Sequence, residues 1–312
     1  MDIIFKFGEH YYSGEETSVW VQLVLTFTGA SLGFLFALWI SKINESRLKR
    51  DRFDYLKEIF STIITSIDRQ VINIQDFRNQ LHANPQDYNL MTWQASNDIK
   101  RYLQLDSQVL FTTFATYNLG FFYFIRRISA TYRHKISKRI NDFAKINSHI
   151  DFIDLSLNQI REEVEMHNKS VVDDQLFIKN TIEGISSDLA SALDALKREN
   201  PENYTELPIY VFLNESLLRY HQLLEERADF HRILAEYIDP FRRGILQNRF
   251  HERHDLTEIL NKCLQAFIRY NDIRVNSEGF EESMNNYIGD LTESVGHLKG
   301  ILIENKVIAD AE

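Results

Sequence analysis

The sequence predicts an all-α protein: one N-terminal transmembrane helix, then an elongated helical bundle or coiled-coil cytoplasmic domain. Three observations carry that expectation. The stretch from Thr17 to Ser41 holds no charged residue over 25 positions, and a helix needs roughly 20 apolar residues to cross the hydrocarbon layer. Glycine and proline are scarce, at 11 and 4, so hairpins and β-sandwich loops have few places to turn. Apolar residues recur three and four apart through most of the remainder, the period of one helix face.

The apolar stretch comes first. Trp20 and Trp39 stand near its two ends. At 1.5 Å per residue they are ~28 Å apart, close to the hydrocarbon thickness, and indole rings favour the headgroup region. A cleaved signal peptide fits less well, because the preceding residues are acidic and no small-x-small cleavage pattern follows. A buried helix of a soluble protein is usually shorter or interrupted by charge. Lys42, Arg47, Lys49, Arg50 and Arg52 follow the stretch, opposed by Glu45 and Asp51. The positive-inside rule then puts residues 1–16, with Tyr11 and Tyr12, outside the cell membrane and the C-terminal part in the cytoplasm. Gly29 and Gly33 form a GxxxG and Ala37 extends the row. Small residues four apart let a second helix backbone approach, although they are also common in membrane helices generally.

Residues 42–82 continue without a breaker. Phe53, Leu56, Phe60, Ile63, Ile67, Val71, Ile74, Phe77 and Leu81 form a helical stripe. It reads as a membrane-proximal stalk, a coiled-coil-like seam of ~60 Å; a core helix that folds back into a bundle gives the same stripe. Residues 82–87 read as a turn around Pro85, and a short helix is expected from about Asn89 to Leu103.

Ser107 to Ile125 is a second uncharged stretch of 19 residues. It reads as a buried helix. A second crossing would put the basic run behind it on the wrong side. That run is Arg126, Arg127, Arg133, Lys135, Lys138 and Arg139. Such a cluster suits anionic lipid headgroups or a phosphate-bearing ligand; its bland counterpart is a solvated helix face paired with acidic helices.

Ile136 to Val164 and Ile178 to Leu196 keep an apolar seam on either side of the polar interval His167–Ser170. A turn there, with Ser170 and Asp173 as a capping pair, makes a helical hairpin of region 83–200; without the turn it is one long helix. Residues 199–208 read as a linker opening the C-terminal region, 201–312. Helices are expected over 209–238, ended by Asp239-Pro240, and around Leu256–Tyr270. A turn is expected at Asn276–Gly279, with a last helix to about Leu302.

Chemistry is sparse. The single cysteine, Cys263, lies on an apolar stripe and allows no intramolecular disulfide,. There is no HExxH, P-loop, dinucleotide fingerprint or GxSxG. His251 and His254 would offer two ligands from one helix face in a charged, exposed setting, which is too little for a metal centre. The expectation is no enzyme, no cofactor and no metal. The net charge of −10 argues against nucleic acid as a partner. The expected partners are the lipid bilayer, further copies of this chain and a cytoplasmic protein. The expected role is a single-pass scaffold or signalling component that works by helix association. Its alternative is a membrane-disrupting oligomeric effector, defence- or toxin-like, with Gln22, Thr26, Thr28 and Ser31 lining a path. Those four do not share one clean helix face at about 100° per residue.

Overall fold

In the computed structural model, the described residues are 19–93, 97–117 and 130–308, and every regular element among them is helical. The elements are α1 (Val19–Ala83), α2 (Asn97–Leu103), α3 (Ser107–Thr116), α4 (Ala130–Glu199), α5 (Pro208–Glu225), α6 (Phe230–Ile233), α7 (Asp239–Gln247) and α8 (His254–Glu304). Three of them are long: α1, α4 and α8 have 65, 70 and 51 residues. The chain divides into two units. The first holds residues 1–62, 100–146 and 301–312, the second 63–99 and 147–300.

In the first unit, Phe53, Leu56, Ile59 and Phe60 of α1 are buried. Phe60 meets Tyr102 of α2 at 5.2 Å between ring centroids, and Phe53 stacks on Tyr117. Phe111 and Phe114 of α3 close on Phe143 of α4 at 5.9 and 5.6 Å. Asp106 caps α3, its carboxylate accepting from the backbone N–H groups of Gln108 and Val109, which satisfies donors a helix start leaves orphaned. The helix ends at Thr116 with Tyr117 extended. The expected helix over 107–125 is therefore only ten residues long in its described part. Leu110, Thr113, Phe114 and Ala115 are buried, as a core helix requires. Residues 118–125 lie outside the described residues.

The second unit carries the larger core. Val171, Ile178, Ile182, Ile185, Leu189, Ala192, Leu193 and Leu196 of α4 pack with residues of α5 to α8. Residues 63–81 of α1 are also core: Ile63, Ile67, Ile74, Phe77 and Leu81 are all within 1% of full burial. Together with the first unit's share, eight of the nine stripe positions are buried and Val71 is half-buried. The stripe is thus bundle core from Phe53 onward, and the free-standing part of α1 lies before it.

Three expected breaks are absent. The interval His167–Ser170 is helical within α4, so the single long helix, not the hairpin, is what forms, and Ser170 and Asp173 cap nothing. The interval Asn276–Gly279 is helical within α8. The two intervals meet. His167 stacks on Phe280 at 4.4 Å and lies 3.4 Å from the Ser277 hydroxyl. Asn168 and Ser277 are buried. Asn168 donates to the Asn89 carbonyl at 2.9 Å, so a buried polar residue with a distant partner looks like a turn former in sequence. The third break, Asp239-Pro240, is bridged by a π-helical turn over Leu234–Ile238. Its wider winding accommodates a ring that has no N–H to donate. The actual break lies earlier, where Arg227 is left-handed at φ 53° and Asp229 caps α6 by accepting from the Arg232 N–H. The expected helix from Asn89 is shorter too: α2 begins at Asn97, and residues 84–93 form a non-helical strap.

Candidate functional site: the apolar helix and the basic segment

Between Val21 and Arg52 no residue of α1 is buried. Among them are Phe27 at 74% exposure and Phe34 at 65%. An apolar row of this length with nothing packed on it is unstable in water, since each exposed large side chain forgoes roughly 1.5–3 kcal/mol of burial. The helix is long and apolar enough to cross a membrane. Its polar groups suit that setting. The hydroxyls of Thr26 and Thr28 donate to the carbonyls of Gln22 and Val24 at 2.8 and 2.7 Å, so neither needs water,. Phe36 and Trp39 lie side by side at 5.8 Å. Gly29 and Gly33 have open space where a Cβ would stand, and Ala37 is exposed in the same row. The side chain of Trp20 and residues 1–16, with Tyr11 and Tyr12, are outside the described residues.

Past the apolar row, Lys42 and Lys49 both reach Glu45, at 2.8 and 2.7 Å. Their hydrogen bonds hold the Glu45 carboxyl down at about 2, so it is ionised at every physiological pH. This small cluster neutralises part of the basic collar and leaves Arg47 and Arg52 exposed.

The second basic set is less uniform than its sequence suggests. Arg126 and Arg127 lie outside the described residues. Arg133 and Lys135 are exposed on α4. Lys138 pairs with Glu304 at 3.1 Å. Arg139 is turned inward, its guanidinium donating to the carbonyls of Tyr117 and Ala115. It closes the C-terminal end of α3, where carbonyls lack helical partners and a cation is favoured. Sequence reading missed this role, because the i-spacing of a basic run says nothing about which cation faces a helix end. Of the described members of the set, Arg133, Lys135 and Lys138 are exposed.

The remaining chemistry-bearing residues of the sequence are Cys263, His251 and His254. Cys263 is fully buried, and burial pushes its thiol up to about 12, so no thiolate is present at neutral pH. His251 and His254 do not share a helix face: one sits in the short turn Phe250–Glu252, the other opens α8, and extended Arg253 separates them. Among the described residues no three of His, Cys, Asp and Glu come together as a metal-ion set. No family model, no curated protein and no solved structure matches the chain.

Proposed function

We propose that the chain is a single-pass, membrane-anchored helical protein that acts by self-assembly and protein–protein contacts, as a scaffold or signalling component. One observation carries the reading. The unburied apolar row from Val21 to Ile40 is the start of the same helix whose later residues, from Phe53 on, are bundle core. A helix so arranged ties a packed domain to a lipid bilayer with no flexible joint at Gly or Pro. The five basic residues behind the row favour an outside N-terminus at the cell membrane and a cytoplasmic bundle. The open row Gly29–Gly33–Ala37 favours a second copy as the neighbour within the bilayer, and the bundle faces favour a cytoplasmic protein partner. Gln22, Thr26, Thr28 and Ser31 do not share one helix face at about 100° per residue, which speaks against the alternative, a membrane-disrupting effector.

The test is self-association of the full chain in lipid nanodiscs or mild detergent, followed by cross-linking and mass photometry. An oligomer is expected. Gly29→Ile with Gly33→Ile should weaken it at least about tenfold, equal to ~1.4 kcal/mol. A monomer at all concentrations contradicts the self-assembly. Dye release from liposomes carrying the chain, lost in Gln22→Leu, would favour the effector instead.

A further inference from the structure

The first unit reverses the charge balance of the chain. Its residues 42–62 and 100–146 hold fifteen Lys or Arg against six Asp or Glu, whereas the whole chain holds 35 against 45. Where those cations stand along the helices decides what they can meet.

Contacts within the unit fix the direction of its helices. Tyr102 of α2 meets Phe60 of α1, and Tyr117, just after α3, stacks on Phe53. The chain from 102 to 117 therefore runs antiparallel to α1, back toward the apolar row. It is also antiparallel to α4: Phe111 and Phe114 meet Phe143, and the Tyr117 carbonyl accepts from Arg139. α1 and α4 are thus parallel here, with Arg139 level with Phe53. Residues of α4 before Arg139 flank residues of α1 before Phe53, on the side of the apolar row.

Phe53 is thirteen residues past Ile40, or ~20 Å at 1.5 Å per residue. Arg133 and Lys135 come six and four residues before Arg139, which puts them ~11 and ~14 Å beyond the end of the row. The headgroup zone occupies about 6 Å outside the hydrocarbon, and the Debye length at physiological salt is about 8 Å. Both cations are then within one screening length of the headgroups. In the same slab α1 supplies Lys42, Arg47, Lys49, Arg50 and Arg52, and α4 has no acid from Ala130 to Arg139. Ion pairs take up part of the set: Glu45 holds Lys42 and Lys49, and Glu304 holds Lys138. Arg47, Arg50, Arg52, Arg133 and Lys135 are exposed.

We propose that this end of the first unit is a docking surface for an anionic lipid leaflet: Arg47, Arg50 and Arg52 of α1 and Arg133 and Lys135 of α4 bind acidic headgroups. The proposal rests on the membrane anchoring proposed above and adds a second attachment to it. One spanning helix sets how deep the chain sits in the bilayer. Cations on a second helix, beside its axis, also set the direction in which the unit leans.

The experiment is amide hydrogen exchange of residues 131–139 with the full chain in two kinds of lipid nanodisc. One is phosphatidylcholine alone; the other contains 30% phosphatidylserine. The first N–H groups of a helix have no helical partner, so exchange at the start of α4 reports what covers it. Exchange should be about fivefold slower in the anionic discs at 0.15 M salt. Raising the salt to 0.5 M should bring the two rates within about twofold, because the screening length shortens. Arg133→Gln with Lys135→Gln should remove most of the slowing. Lys179→Gln, an exposed charge of α4 in the second unit, should leave it unchanged. Equal exchange in the two discs overturns the proposal and leaves the anchoring intact, and so does a slowing that survives the double substitution. A chain that fails to enter neutral discs overturns the anchoring, and this proposal with it.

Discussion

At the scale of single residues, Gly244 and Arg139 show how much one position can carry. A Cβ on Gly244 of α7 would run into the Phe212 ring. That ring cannot swing away freely: it stacks parallel on Phe241 at 5.6 Å and meets Phe250 at 5.7 Å. Gly244→Ala, harmless or even stabilising in an open helix, should here cost about 1–3 kcal/mol through overpacking. A lowered urea midpoint with unchanged slope is the expected result. An unchanged midpoint would mean that Phe212 relocates without loss. Neither feature was legible in the sequence. A glycine between arginine and isoleucine looks like any helical glycine, and Arg139 looks like one more member of a basic run.

At the scale of elements, the seams were legible and the interruptions were not. Ile178, Ile182, Ile185, Leu189, Ala192 and Leu196 repeat at four and three, and each is buried. Apolar spacing survives translation into structure because burial of one face is what holds a helix. Polar intervals are ambiguous. His167–Ser170 and Asn276–Gly279 use turn-forming residues, yet His167 meets Ser277 and Phe280 across α4 and α8, and Asn168 donates to the Asn89 carbonyl. A sequence shows the residue types but not the partner that satisfies them. The His167 contact has a measurable signature. Burial holds the His167 imidazole down at about 4, below its ordinary 6.5. The unfolded chain therefore takes up a proton that the folded chain refuses, and stability falls as the pH drops from about 6.5 to about 4, then levels with respect to this group. The urea midpoint should fall between pH 7 and pH 4.5 by more in the wild type than in His167→Gln. Equal falls would show that His167 is solvated. The strap escaped notice for the same reason as that contact. Its anchors Asn73, Asn168 and Gln175, which donate to the carbonyls of Thr92, Asn89 and Gln86, are far apart in sequence, and no local pattern links them to residues 84–93.

At the scale of the whole molecule, the fold class follows from the distribution of charge and of chain-breaking residues. With so few glycines and prolines, long helices were the natural outcome: α1 runs unbroken, α4 takes the longer of its two expected forms, and α8 runs through the expected turn at 276–279. The length of α4 and α8 comes from keeping turn-forming residues helical: His167 and Ser277 meet across them in place of two turns. The free apolar row at the start of α1 is a continuous run of apolar side chains that the described chain itself leaves uncovered. The bilayer is the solvent that fits it, and the proposed role follows from that placement.

The most direct measurement is the partition of the full chain between membrane and supernatant after cell breakage without detergent. A high-pH carbonate wash removes proteins held only by charge, and a final step adds detergent. Membrane anchoring by residues 17–41 predicts that the chain pellets, resists the wash and is released by detergent. A chain that stays in the supernatant, or leaves the pellet in carbonate, would contradict it.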